Sequence, residues 1–129
     1  MQMFHRQLVE PVRQSCMLRL ELITDKSGLN TFWPEFHIHF QQNSHYVMSA
    51  KKTGSKPYST FVMSVSKVNF EETSESYIGK MKSNVLGDQL NIFGPGLNPS
   101  NAREKNQVPR ELLATVVYES HLFQMGKPR

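Results

Sequence analysis

The chain has 129 residues, 38% of them hydrophobic, 10% aromatic and 20% charged, which fits one folded domain at most and excludes a disordered tail. Fifteen Lys and Arg against eleven Asp and Glu leave a formal charge of +4, which permits an anionic partner without requiring one. No apolar run is long enough for a transmembrane helix, Met1–Arg6 lacks the apolar core of a secretory signal, and the single cysteine, Cys16, makes neither an internal disulfide nor, alone, a zinc site, so a reducing compartment is expected.

Period-two alternation runs through the chain, and it predicts seven short strands. In Cys16–Leu22, the residues Cys16, Leu18, Leu20 and Leu22 share one face, opposite Arg19 and Glu21, as in a half-buried strand. Asp25–Gly28 reads as a tight turn. Phe36, Ile38 and Phe40 alternate with His37 and His39 in a second strand, and Asn43-Ser44 turns the chain into a third at His45–Ala50. Lys51–Pro57 reads as a polar loop, and Phe61, Met63 and Val65 give a fourth strand. Glu71–Ser76 is polar and acidic, the composition of a loop. Tyr77–Leu86 and Gln89–Phe93 form two strands joined at Gly87-Asp88, a hairpin signal. Gly94–Val108 carries two glycines, three asparagines, Pro95 and Pro99 and reads as a long loop. Arg110–Glu119 suits either a strand or a helix, and its β-branched run Thr115-Val116-Val117 favours a strand. Turn signals every 8–15 residues, roughly the spacing of short strands, make the fold class all-β and antiparallel, a barrel or sandwich.

The residues that could carry chemistry are few. His37, His39 and His45 on one hairpin could hold zinc, but no cysteine or carboxylate stands at a matching spacing. Their other reading is a polar outer face opposite Phe36, Ile38 and Phe40. Cys16, on an apolar strand face, reads as a small buried hydrophobe rather than a nucleophile. The nucleophile-elbow, phosphate-loop, dinucleotide-binding and zinc-protease motifs are all absent, so no catalytic residue, metal or cofactor is expected. Nucleic acid is left open by charge alone, with no basic–aromatic stacking module visible. Lys80 and Lys82, two apart on a strand, share a face.

Several segments together resemble a known family. Ile23-Thr24-Asp25-Lys26-Ser27-Gly28, then Phe32-Trp33-Pro34 leading into Phe36–Phe40, resembles the opening of the tubby domain. Tyr77–Gly87, with its Ile78-Gly79-Lys80-Met81-Lys82-Ser83-Asn84 core, is similar to that family's most distinctive stretch. Gly96-Leu97-Asn98-Pro99, Arg110–Ala114, Val117-Tyr118-Glu119 and the closing Pro128-Arg129 follow in family order. The resemblance covers residues 11 to 129 and leaves residues 1–10 as an N-terminal extension.

The resemblance implies a closed antiparallel β-barrel threaded by a hydrophobic C-terminal helix. This chain corresponds to about the N-terminal half of it, an incomplete barrel lacking the C-terminal strands and central helix. It also implies a non-enzymatic, membrane-associated adaptor that binds phosphoinositides, notably phosphatidylinositol 4,5-bisphosphate. Such proteins carry protein cargo in ciliary trafficking or regulate transcription, at the inner plasma membrane, cilium, cytoplasm or nucleus. The implied phosphoinositide-binding residues are Lys51 and Lys52 of the basic loop, and Lys82 with its neighbour Lys80 in the Ile78–Asn84 stretch. The loop is thinner than the family pattern, with Thr53-Gly54 where more Lys or Arg is expected. The alternative is a truncated fragment or short isoform without lipid binding of its own, inactive or acting only through a partner chain.

Overall fold

The computed structural model describes residues 15, 17–54 and 57–119. Seven strands are present: β1 (Leu20–Asp25), β2 (Glu35–Phe40), β3 (Tyr46–Thr53), β4 (Thr60–Ser64), β5 (Tyr77–Ser83), β6 (Gln89–Phe93) and β7 (Leu112–Val117). A short helix, α1 (Pro99–Lys105), lies between β6 and β7, and one turn of 3-10 helix spans Gly28–Thr31. Each strand is hydrogen-bonded to its neighbours in chain order, so among the described residues the sheet is unclosed and β1 and β7 each keep an open edge. The architecture is all-β and antiparallel, as the alternation predicts.

The described residues fall into two compact units. The first is built from residues up to Lys52 together with Val62–Ile78, the second from Thr53–Phe61 and Gly79 onward. In the first, β1 and β2 pair from Leu20↔Phe40 to Asp25↔Glu35. β2 and β3 pair from Glu35↔Lys51 to Ile38↔Met48, and then a bulge carries His39 to Tyr46. Ser44, at φ 56°, makes the turn between them. In the second unit β5, β6 and β7 pair in sequence, Lys82 opposite Asn91 and Asn91 opposite Thr115.

Several sequence expectations need correction. The first strand begins at Leu20 and not at Cys16, which lies outside the described residues. It is not half-buried either: every residue of β1 is exposed except the partly covered Asp25. β3 runs on through Lys51, Lys52 and Thr53, which were expected in a loop, because Lys51 pairs with Glu35 and the Lys52 N–H donates to the Pro34 carbonyl. β5 ends at Ser83 because Asn84 already forms the next turn. The expected long loop Gly94–Val108 contains α1. Asn98 caps it by accepting from Ser100 N–H, Pro99 occupies its first turn, Arg103 and Lys105 sit in its last turn, and Asn106 ends it in the left-handed region. Only Ala102 of α1 is buried, so it carries no apolar stripe for periodicity to detect.

Among the described residues the buried apolar set is small: Val47, Val62, Tyr77 and Ile78 in the first unit, Ala102 in the second. Two serines, Ser49 and Ser64, are fully buried beside them. Replacing Ile78 by Ala is expected to cost about 2–5 kcal/mol, a large share of a typical net stability of about 5–15 kcal/mol. Val117→Ala on exposed β7 should stay within about 0.5 kcal/mol. Urea denaturation of the two variants checks this; equal effects would contradict the burial described.

Candidate functional site

The four lysines singled out by sequence divide between the units. Lys51 and Lys52 lie in the first, and being adjacent on β3 they point to opposite faces. Lys80 and Lys82 lie in the second, on one face of β5.

In the first unit, the polar face of β2 and β3 is covered rather than open. Lys51 Nζ sits 2.8 Å from Glu35 Oε1 and 5.6 Å from the centre of the Phe70 ring. Glu35 Oε2 also lies 3.7 Å from His37 Nε2. His37 Nδ1 meets Ser49 Oγ at 2.5 Å, and Ser49 Oγ is 2.9 Å from the Tyr46 hydroxyl. Lys67 lies over the Tyr46 ring at 4.9 Å, and His39 packs edge-on against the same ring at 5.6 Å. Burial raises the Tyr46 phenol above its usual range, and the Ser49 hydrogen bond pulls part of that back. The segment that brings Lys67 and Phe70 over this face is folded by two serines. Ser64 Oγ donates to the Asn69 carbonyl and accepts from Ser66 N–H, while Ser66 Oγ accepts from Val68 and Asn69 N–H. The histidine face was expected to face outward. Instead Ser49, opposite His37, is fully buried, whereas Ile38 and Met48 on the other face are only half-buried.

Ser49, His37 and Glu35 superficially match the order of a hydrolytic triad. Their geometry argues otherwise. Ser49 has no exposed surface for a substrate to reach. Glu35 is shared with Lys51, and that ion pair is the shorter of its two contacts. The network is a satisfied polar core, and its chemistry is positional.

The second unit holds a cavity of about 500 Å³ lined by Gly54, Tyr58, Thr60, Lys82, Ser83, Asn84, Gln89, Asn91 and Phe93. β5 supplies Lys82 and Ser83, β6 supplies Gln89, Asn91 and Phe93, and the turn between them supplies Asn84. That turn is held by Asn84, whose Oδ1 accepts from Gln89 N–H and whose carbonyl accepts from Gly87 N–H; Gly87 takes φ 74°. Asn91 Oδ1 accepts from Thr115 Oγ1–H at 2.9 Å and from Gln89 Nε2–H at 3.3 Å. With both lone-pair directions of its oxygen used, Asn91 has only N–H donors left to offer a ligand. The Arg110 guanidinium stacks at 4.1 Å on Phe93, one of the lining residues. It is placed there by Arg110 N–H donating to the Leu97 carbonyl at 2.8 Å. The motif resemblance pointed to Lys82, but Gln89 and Asn91 were read only as strand formers and not as cavity residues.

The profile of the Tub family matches residues 8–129. The chain belongs to the Tub family. Among similar proteins, human Tubby-related protein 1 is 26% identical over 125 residues, covering 95% of this chain and 23% of that protein. Tubby protein homolog 1 of Caenorhabditis briggsae is 25% identical over 127 residues, covering 93% of this chain and 30% of that protein. Tubby-related protein 3 of mouse is 25% identical over 126 residues, covering 92% and 27%. This Tub-family chain thus spans about a quarter of the length of these relatives. Among its described residues no helix is long and apolar enough to cross a membrane.

The approach of Arg110 to Phe93 depends on one glycine. Gly96 has φ 130°, and a Cβ there would lie 2.8 Å from Arg110 N and 2.9 Å from Arg110 Cα. These are backbone atoms that cannot swing away. Gly96→Ala is therefore expected to destabilise the chain by more than about 1 kcal/mol and to shift Arg110 off Phe93. Urea denaturation and the ring-current shifts of the Arg110 side chain check both outcomes.

Proposed function

We propose that this Tub-family chain is a non-enzymatic binding module whose ligand is the anionic headgroup of a phosphoinositide, presented at a membrane surface. The observation that carries the reading is the cavity of the second unit. It places Lys82 among the side-chain amides of Asn84, Gln89 and Asn91 and the hydroxyls of Tyr58, Thr60 and Ser83. Its size falls within the roughly 300–1,000 Å³ of small-molecule sites. A phosphate needs converging N–H and O–H donors and a cation; Lys82 supplies the cation, and Asn84 and Gln89, each with one amide N–H given to Asp88 and Asn91, keep a second one to offer. Lys80, on the same face of β5, adds to the local field. Phosphatidylinositol 4,5-bisphosphate is the headgroup the family resemblance favours. Lys51 and Lys52, the basic-loop residues that the resemblance implies, lie in the first unit. Lys51 is already ion-paired with Glu35, and a phosphate would have to compete with that carboxylate. Adaptor work at the inner plasma membrane, cilium or nucleus, with a protein cargo, belongs to the same proposal.

A second reading has its own support. Leu20 and Leu22 on β1, and Leu112, Leu113 and Val117 on β7, are all exposed. Apolar strand edges of this kind favour docking to another chain. The chain would then act as the N-terminal part of a longer module or through a partner, without binding lipid by itself.

Co-sedimentation with vesicles containing phosphatidylinositol 4,5-bisphosphate separates the two. The first reading expects binding that weakens as salt rises. It also expects the double variant K80E/K82E to lose tenfold or more, since each lysine near an anionic surface contributes about 1 kcal/mol. Unchanged binding of that variant would overturn the site, and no binding by the unaltered chain would favour the second reading.

A further inference from the structure

We propose that Val85 and Leu86, at the tip of the β5–β6 hairpin, enter the acyl boundary of a bilayer while the adjoining cavity holds an anionic headgroup of that same bilayer. The inference rests on the phosphoinositide reading of the cavity and adds the apolar half of the contact. Its partner is therefore a lipid surface and not a free inositol phosphate.

The turn comes first. Gly87 N–H donates to the Asn84 carbonyl at 3.2 Å, which closes a β-turn and makes Val85 and Leu86 its central residues. Central turn positions favour Gly, Pro, Asn, Asp and Ser, each for a backbone reason. Val85 and Leu86 supply none of those reasons, and the left-handed position is taken by Gly87, at φ 74°. Packing does not account for them either, with Val85 58% and Leu86 80% exposed. β5 and β6 are interior strands of the sheet, hydrogen-bonded on both sides, so this apolar pair does not arise from an open strand edge. Adjacent apolar side chains at the protruding point of a hairpin are placed to meet an apolar surface outside the chain.

The neighbourhood of the tip chooses a bilayer. Lys82 and Ser83 of β5, Asn84 of the turn and Gln89 of β6 line the cavity, so the headgroup site begins at the residues that flank the tip. Lys80 lies further along the same face of β5. Basic residues behind an apolar tip complement a bilayer, whose anionic phosphates overlie its hydrocarbon. The depths agree as well. A strand rises about 3.3 Å per residue, which sets Lys82 roughly 10 Å from Val85 along the hairpin. The headgroup layer is about 5–8 Å deep on each side of a bilayer, and a flexible lysine stem spans the difference. A hairpin standing on its tip thus has its lysines at the phosphates when Val85 and Leu86 reach the hydrocarbon. Tyr58 lines the cavity and is 55% exposed, and its apolar ring and polar hydroxyl suit the same interface. An apolar groove on a protein would satisfy the tip but not the lysines and the cavity beside it.

The turn also lowers the cost of leaving water. Asn84 N–H donates to the Gln89 carbonyl at 3.0 Å, and the Asn84 side-chain oxygen accepts from Gln89 N–H at 3.2 Å. Backbone groups already paired within a hairpin are cheaper to bring into an interface than bare ones. Asp88, the acid nearest the tip, accepts from the Asn84 side-chain amide, and its carbonyl takes Tyr118 N–H at 2.7 Å.

Two probes of the full chain test this. One is a phosphatidylcholine vesicle containing phosphatidylinositol 4,5-bisphosphate, followed by co-sedimentation; the other is the soluble inositol bisphosphate headgroup. V85S/L86S is expected to bind the vesicles roughly tenfold or more weakly and the soluble headgroup as the unaltered chain does. Its loss should be the same at low and high salt, whereas the loss caused by K80E/K82E should shrink as salt rises, because screening acts on charge and not on apolar burial. L86W should gain a blue-shifted emission on the vesicles, quenched by lipids brominated in their acyl chains, with no such change on the soluble headgroup. That readout does not depend on the folding of V85S/L86S. Vesicle binding of V85S/L86S equal to that of the unaltered chain would overturn the insertion and leave the headgroup reading standing. An L86W emission that the vesicles leave unchanged would do the same, and would give the tip to water or to a protein groove. Equal losses of V85S/L86S on the vesicles and on the soluble headgroup would overturn it too, by showing that the tip only shapes the cavity. No binding of the unaltered chain to either probe would overturn the headgroup reading and the insertion together.

Discussion

The Glu35 carboxylate is the constraint on which the first unit depends. Strand pairing puts it opposite Asp25 on one side and Lys51 on the other, and its two oxygens divide between Lys51 and His37. From there hydrogen bonds run through His37 to Ser49 and on to Tyr46. Buried polar groups are costly when unpaired, so this chain of contacts fixes the register of β2 against β3 more tightly than the few buried apolar side chains could. It also gives Lys51 a role in the fold, its charge answered by Glu35 within its own unit.

In the second unit the organising elements are a turn and a close backbone approach. Asn84 shapes the turn that sets β5 beside β6, which brings Lys82 opposite Asn91. Gly96 lets the chain before α1 pass against Pro109 and Arg110, and the Arg110 cation then closes over Phe93. A cation over an aromatic face contributes about 0.5–2 kcal/mol depending on solvent access. It also adds a positive charge next to Phe93, one of the residues lining the cavity.

Much of the fold was legible because alternation is a strong signal where a strand separates two unlike faces. β2 and β6 were read with their bounds within a residue for that reason. The signal failed where its physical basis was missing. β1 is exposed on both faces, so the apolar alternation that continues ahead of it through Cys16 and Leu18 said nothing about where pairing starts. β3 was cut short at Ala50 because lysines read as loop, although Lys51 needs the strand to reach Glu35. The cap residues of α1, Asn98, Pro99 and Asn106, were visible as turn formers, but a seven-residue helix burying only Ala102 leaves no periodic stripe. The sidedness of β2 was misjudged for another reason. His37 and Glu35 look like solvent-facing residues until Phe70 and Lys67, some thirty residues away, are folded against their neighbours Lys51 and Tyr46. As for the site, Lys80 and Lys82 came from a motif. Gln89 and Asn91 join them only through strand register, which no local pattern states.

The most direct test of this account is a nuclear magnetic resonance titration of the chain with a soluble inositol bisphosphate headgroup, observing side-chain amides. The account predicts shifts concentrated on the side-chain amides of Asn84, Gln89 and Asn91, with the His37 and Ser49 signals unmoved. Shifts centred instead on Lys51, Glu35 and His37 would show that the ion pair yields to phosphate and would contradict the division of roles drawn between the two units.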